Sequence, residues 1–189
     1  MRISKLAAVC AASALLAGAA QGAPVQWNSG AGANGHWYDI VFSALTWGQA
    51  EAAAASMTNL GQAGYLATVT SAEEQAFLNA LNPNNTGAWL GGTDQNVEGT
   101  WEWITGEAWT YNNWYSGEPN DQFGEDYLAG WWSGTTLWND LPGPNYAGSN
   151  IRAYIVEYNT AAVPLPAGLP LLIGAFGVLG LAARRRKAG

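Results

Sequence analysis

Apolar positions follow two different rhythms along this chain and thin out between them, which divides it into elements. Residues 36–45 alternate closely enough to predict a first strand. Thr46 with Gln49 three residues on forms a capping box ahead of an alanine-rich helix reaching about Asn59. Ser71 with Glu74 repeats the signal for a second helix to about Leu81. A short strand over 65–69 lies between the helices, and from Trp89 the pattern changes to short aromatic strands separated by loops rich in Gly, Asn, Asp and Pro. Strands are expected over 88–92, 100–104, 127–129, 136–138 and 152–157, so the class is α+β with a mostly antiparallel sheet. A loop-rich stretch of roughly 50 residues inside one domain points to loops that are functional or held by a ligand.

Both ends stand apart from this pattern. Residues 1–23 carry Arg2 and Lys5, an apolar run over 6–20, and small residues suited to cleavage within 19–23, the form of an export signal. Cys10 falls inside it, so the mature chain has no cysteine and its core must hold by burial. At the other end 163–183 is almost wholly apolar and Arg184, Arg185, Arg186 and Lys187 follow directly, as in a membrane span whose basic end stays cytoplasmic. Pro164, Pro166 and Pro170 interrupt its start, leaving 171–183 as the dependable helix. Val163-Pro164-Leu165-Pro166-Ala167 with this helix and basic end resembles the PEP-CTERM sorting tail that exosortases process in Gram-negative bacteria, with Leu165 where the commonest form has an acid. A plain C-terminal anchor is the alternative. The chain divides into an export signal (1–23), a flexible lead-in (24–35), a folded domain (36–159) and a sorting tail (160–189).

Removing the ends changes the charge. Six of the seven Lys and Arg lie in them, leaving Arg152, whereas all fourteen acids lie in the domain, whose formal charge is 1 − 14 = −13. Nucleic acid is excluded as a partner, because its phosphates would meet repulsion and no basic patch. A cation is favoured instead. Asp94, Glu98, Glu118, Asp121, Glu125, Asp126 and Asp140 crowd the loop-rich half together with Asn120 and Asn139, and all nine offer oxygen. Calcium takes six to eight oxygen ligands, whereas zinc would want His or Cys, of which the mature chain has only His36. His36 itself reads as a surface or packing residue. Acid and base work in a glycoside hydrolase is the rival use of such carboxylates, but it needs one of raised pKa beside one ionised, not acids interleaved with Asn.

Glu118-Pro119-Asn120, then Gly124-Glu125-Asp126, then Trp138-Asn139-Asp140, in this order, resemble the C-type lectin-like domain. The resemblance extends to residues 47–54, to Gly64-Tyr65-Leu66-Ala67-Thr68 before Glu73 and Glu74, and to Trp89-Leu90-Gly91-Gly92, covering about 37–158. It implies a C-type lectin-like fold, two helices on small sheets with a long calcium-binding loop region. It also implies a principal calcium held by Glu118, Asn120, Glu125, Asn139 and Asp140, and a second held by Asp94, Glu98, Asp121, Glu125 and Asp126. Pro119 would be cis. In the family Glu-Pro-Asn accompanies mannose-type sugars, so mannose, glucose, N-acetylglucosamine or fucose is the implied class, and the chain would bind a glycan or exopolysaccharide rather than act as an enzyme. The family's usual disulfide positions are here Ala54 with Val156 and Tyr127 with Gly143, so both bridges are missing. The loop after Asn120 is one residue shorter than in the mannose-binding examples. Most tryptophans should be core, with Trp131 or Trp132 as the candidates for stacking on sugar. The alternative function is a calcium-stabilised structural or adhesive surface protein that binds protein.

Overall fold

The computed structural model describes residues 22–142 and 150–160. The expected export signal up to residue 21, the tail from residue 161 and Gly143 lie outside the described residues. Among the described residues no helix is long and apolar enough to cross a membrane.

The elements run β1 Val25–Gln26, β2 Trp37–Val41, α1 Trp47–Ser56, β3 Thr58–Asn59, β4 Gln62–Leu66, α2 Ala72–Leu81, β5 Gly87–Thr93, β6 Glu102–Trp103, β7 Glu125–Gly130, a 3₁₀ turn Trp132–Gly134, β8 Asn139–Pro142 and β9 Ile151–Tyr158. The first capping box forms: the Thr46 hydroxyl accepts from the Gln49 amide, and the Gln49 side chain accepts from the Thr46 amide. At the second helix Ser71 accepts from the Glu74 amide, but the Glu74 carboxylate turns to Thr70 and Tyr38. Helix α1 stops at Ser56, three residues early, because the Met57 amide closes on the Ala54 carbonyl and the chain enters β3. Two expected strands are displaced: 65–69 is β4 at Gln62–Leu66, and 136–138 gives way to β8, with Trp138 reduced to a single bridge to Trp114. The expected lead-in at 24–35 is built into the fold, since β1 pairs with β2 and Trp27 is buried.

Strand β9 organises the sheet. Its first half runs parallel to β5, and its second half is antiparallel to β2 on one side and β4 on the other. From β5 the sheet continues antiparallel through β7 to β8, the two strands that carry the acidic motifs. Side chains alternate across a strand, so neighbours enter different cores. Ala153 and Ile155 of β9, Ala88 and Leu90 of β5 and Leu128 of β7 meet Leu78 of α2 on one face. Tyr154 and Val156, Trp89, and Tyr127 with Ala129 meet Trp47, Ala50 and Ala54 of α1 on the other.

Close packing stands where the bridges are missing. Ala54 and Val156 are both fully buried, and Gly64 fits between them so closely that a Cβ there would lie 2.6 Å from Val156 Cγ1 and 2.8 Å from the Ala54 carbonyl. Tyr127, at the other position, packs on Trp47 with ring centroids 4.6 Å apart. In the loop-rich half Trp138 meets Trp103, Trp109, Tyr111 and Trp114 edge-on at 5.6–6.0 Å, so one buried indole gathers β6 and the 109–114 stretch. Such pairs contribute ~0.5–1.5 kcal/mol each beyond area burial.

Candidate metal centre

The tryptophan cluster sets the first acidic group. The Trp138 amide donates to the Asn113 carbonyl and the Tyr115 amide to the Trp138 carbonyl, so residues 113–115 run beside the start of β8. A turn follows, closed by the Glu118 amide on the Tyr115 carbonyl, and brings Glu118 to Asp140. The Glu118–Pro119 peptide is cis, as the resemblance implied. Asp140 then fastens the next segment, its Oδ2 accepting from the amides of Asn120 and Asp121 at 2.9 Å each. The Gln122 amide donates to Asn120 Oδ1 at 2.8 Å and to Glu125 Oε2 at 3.1 Å, and the Glu125 amide to Asp121 Oδ1 at 3.0 Å. Glu118, Asn120, Glu125 and Asp140 are thus drawn together by the backbone of one short loop. Asn139, next to Asp140 on β8, is buried and donates through Nδ2 to the Asp140 carbonyl.

Burial and mutual repulsion dominate the electrostatics of this group. Burial, then the neighbouring Asp140 charge, pushes the Glu125 carboxyl up to about 7 and raises Glu118 as well. Among the described residues seven buried side-chain polar atoms have no hydrogen-bond partner, and all four oxygens among them belong to expected ligands: Asp94 Oδ1, Glu118 Oε2, Asn139 Oδ1 and Asp140 Oδ1. The other three are nitrogens elsewhere. A buried acceptor without a donor costs ~1–3 kcal/mol, and a hard cation is the partner that carboxylate and amide oxygens share. The donor set therefore fits calcium.

Asp94, Glu98 and Asp126 form the second group, with one oxygen from each within 4.8 Å of the others. That spacing is about twice a calcium–oxygen distance. Asp94 is buried, its carboxyl pushed up to about 6 mainly by burial, and Gly99 donates to its Oδ2 at 3.0 Å. The other two residues expected here stay with the first group: Asp121 braces the Glu125 amide and Glu125 faces Asp140. Neighbours on a strand point to opposite faces, so Glu125 and Asp126 divide between the two groups.

The stacking expectation needs correction at Trp131. Its indole is fully buried among the α2-side cluster with Nε1 donating to Asn79 at 3.0 Å, which leaves no face for a sugar. Trp132 is half-buried against the α1-side cluster. His36, read as a surface or packing residue, makes an ion pair at 2.6 Å with buried Glu157. No local signal pairs two residues 121 positions apart.

A sequence profile described as the lectin C-type domain matches residues 43–146. Among curated proteins, halomucin of Haloquadratum walsbyi is 31% identical over 139 residues, 66% of this chain, which spans 1% of that protein's length. An alpha-N-acetylgalactosamine-specific lectin of Patiria pectinifera is 31% identical over 134 residues, 67% of this chain and 76% of that protein. Among solved structures, the carbohydrate-recognition domain of cow CD23, determined in the presence of a GlcNAc2Man3 oligosaccharide, superposes with a TM-score of 0.56 at 30% identity, over 67% of this chain and 90% of that one. With the profile covering more than half of its length, this chain belongs to the C-type lectin domain family.

Proposed function

We propose that this chain binds carbohydrate through calcium, the ion being held by Glu118, Asn120, Glu125, Asn139 and Asp140. The observation that carries the reading is the set of orphaned oxygens: three of the four lie on these residues, and the fourth on Asp94. The family is one of binding proteins rather than enzymes. A bound calcium supplies open coordination positions that two vicinal sugar hydroxyls can fill. The chain's own residues do the rest. Glu118 and Glu125 accept hydrogen bonds from those hydroxyls, while Asn120 and Asn139 each have an amide hydrogen left to donate. Glu-Pro-Asn supports a mannose, glucose, N-acetylglucosamine or fucose type of sugar, although the relative from Patiria pectinifera is named for a different one. A second calcium at Asp94, Glu98 and Asp126 would brace the loops.

The protein is expected to stay on immobilised mannose in calcium and to elute with chelator or free mannose, but not with galactose. No retention on immobilised mannose, or on immobilised galactose run in parallel, would leave a structural or adhesive domain that binds protein. Export by residues 1–23 and tethering by the 160–189 tail, with an exosortase-type enzyme as its processing partner, place this site at the cell surface, where many copies on one exopolysaccharide would gain avidity. Deleting residues 163–189 is expected to release the protein into the medium, and unchanged surface retention rejects the tether.

A further inference from the structure

Asp39 lies in β2 and is only 4% exposed, so its carboxylate has left water almost completely. Burial pushes the carboxyl up to about 6, with the Ile40 amide acting the other way. Val156 of β9 stands opposite it, so Tyr154 and Tyr158 flank it on the same face. Both hydroxyls are raised by burial and then by the Asp39 charge, which keeps them neutral. Cations are scarce in this domain. Residues 24–159 contain one histidine and one arginine. His36 is paired with Glu157, and Arg152 is exposed four positions along β9 from Val156, about 13 Å away. A cavity of about 680 Å³ opens over Asp39, with Gly22 and Ala23 on its wall. A Cβ built on Gly22 would lie 4.0 Å from Asp39 Oδ1. The pairing that follows brings these two residues there. Val25 stands opposite Tyr38 and Gln26 opposite Trp37, the Trp27 amide donates to the His36 carbonyl, and the Gly35 amide to the Trp27 carbonyl, at 2.9 Å each. The window expected for signal cleavage, 19–23, thus reaches a buried carboxylate.

We infer that Ala23 becomes the first residue of the mature chain and that its α-ammonium is the counter-ion of Asp39. The inference rests on the export reading above. Cleavage after Gly22 has small residues, Ala20 and Gly22, at the third and first places before the cut, as a signal peptidase site needs. Water divides across the Gly22–Ala23 peptide. Its oxygen forms the Gly22 carboxylate of the released signal, and its two protons turn the Ala23 amide nitrogen into an ammonium. Removing Gly22 also vacates space beside Asp39 Oδ1 for that cation. A pair screened from water attracts more strongly than one at the surface, and an unpaired buried carboxylate is costly. The unprocessed precursor has no ammonium at this place, so the folded domain gains this contact only after it has crossed the membrane and lost its signal.

The test exports the full chain with its own signal from a Gram-negative host and reads the N-terminus of the purified protein by mass spectrometry. Acetylation of the terminal amine by N-hydroxysuccinimidyl acetate is then followed at about pH 7.5, just below the ordinary α-amino range. Lys187 is the only other primary amine and lies in a different tryptic peptide. An N-terminus at Ala23 is expected, acetylated about five- to tenfold more slowly than in Asp39→Asn, because a paired ammonium holds its proton about tenfold more tightly than an ordinary α-amine. A Gly-Ser insertion between Gly22 and Ala23 moves the new amine by about 7 Å and should be acetylated as fast as Asp39→Asn. The comparison therefore does not depend on the folding of Asp39→Asn. Equal rates in wild type and the insertion overturn the inference while export stands, and so does a mature terminus at another residue. A chain that keeps residues 1–22 overturns the export reading and this inference with it.

Discussion

Asp140→Asn is expected to abolish sugar binding and most of the calcium-induced rise in melting temperature, while the calcium-free protein melts no lower than wild type. The two halves of this result have one cause. Asp140 Oδ2 accepts the amides of Asn120 and Asp121, a role that an asparagine carbonyl can fill. Its Oδ1 is buried without a donor and adds to the charge that raises Glu118 and Glu125. An amide nitrogen there would donate to the Glu118 carboxylate instead of repelling it. Without metal the substitution thus relieves repulsion. With metal it removes one of three carboxylates around a divalent ion, and calcium affinity should fall at least about 100-fold, or ~2.7 kcal/mol. In wild type, calcium at about 100 times its Kd should add ~2.7 kcal/mol of stability, readable as several degrees in a melt. A variant that melts lower without calcium yet gains as much from it as wild type contradicts the assignment.

Glu157→Ala should destabilise the domain by ~3 kcal/mol. Glu157 is buried in β9, where Oε1 pairs with His36 Nδ1 at 2.6 Å and lies 3.2 Å from the Tyr38 hydroxyl, and Oε2 accepts the Thr68 amide at 3.0 Å. Truncation leaves that amide and the His36 charge without a partner. Glu157→Gln keeps an acceptor for Thr68 and should cost about half as much.

The same pair sets a pH dependence. Its hydrogen bond to Glu157, against the opposing effect of burial, raises His36 above 6.5, and the Glu74 and Glu107 charges add to this. A raised histidine contributes stability that is complete below its unfolded pKa and is lost as pH rises through the folded one. Glu74, raised by burial and then by the Glu157 charge, acts in the same direction, because a folded state that holds its proton more tightly loses stability as pH increases. Stability should therefore decline as pH rises past the ordinary histidine range in wild type and decline less in Glu157→Gln, as read from denaturant midpoints. Equal slopes would contradict the pairing.

Much of the fold and the candidate site was legible because it is written locally. The Thr46 box lies within four residues, and each acidic motif spans three. What was missed depends on distant partners or on backbone conformation. The strands β1 and β3 have two residues each, too few to display a period. Glu74 has the spacing of a box partner, but Tyr38, far off in sequence, competes for its carboxylate. Trp131 and Trp132 are adjacent, and only the left-handed turn at Trp131 determines which indole enters the core. Asp121 accepts the Glu125 amide through Oδ1 from a backbone at φ +49°, a contact that its place in the motif does not announce. The expected disulfide positions were readable as missing, but the indoles that gather the loops around Trp138 come from segments whose meeting no spacing announces.

The most direct test is calorimetric titration of the purified, metal-free protein with calcium, followed by mannose. The account predicts calcium uptake with release of protons near pH 7, because Glu125 must ionise to bind the ion, and then mannose uptake that chelator abolishes. Mannose binding of equal affinity in the presence of excess chelator, or no calcium uptake at all, would contradict it.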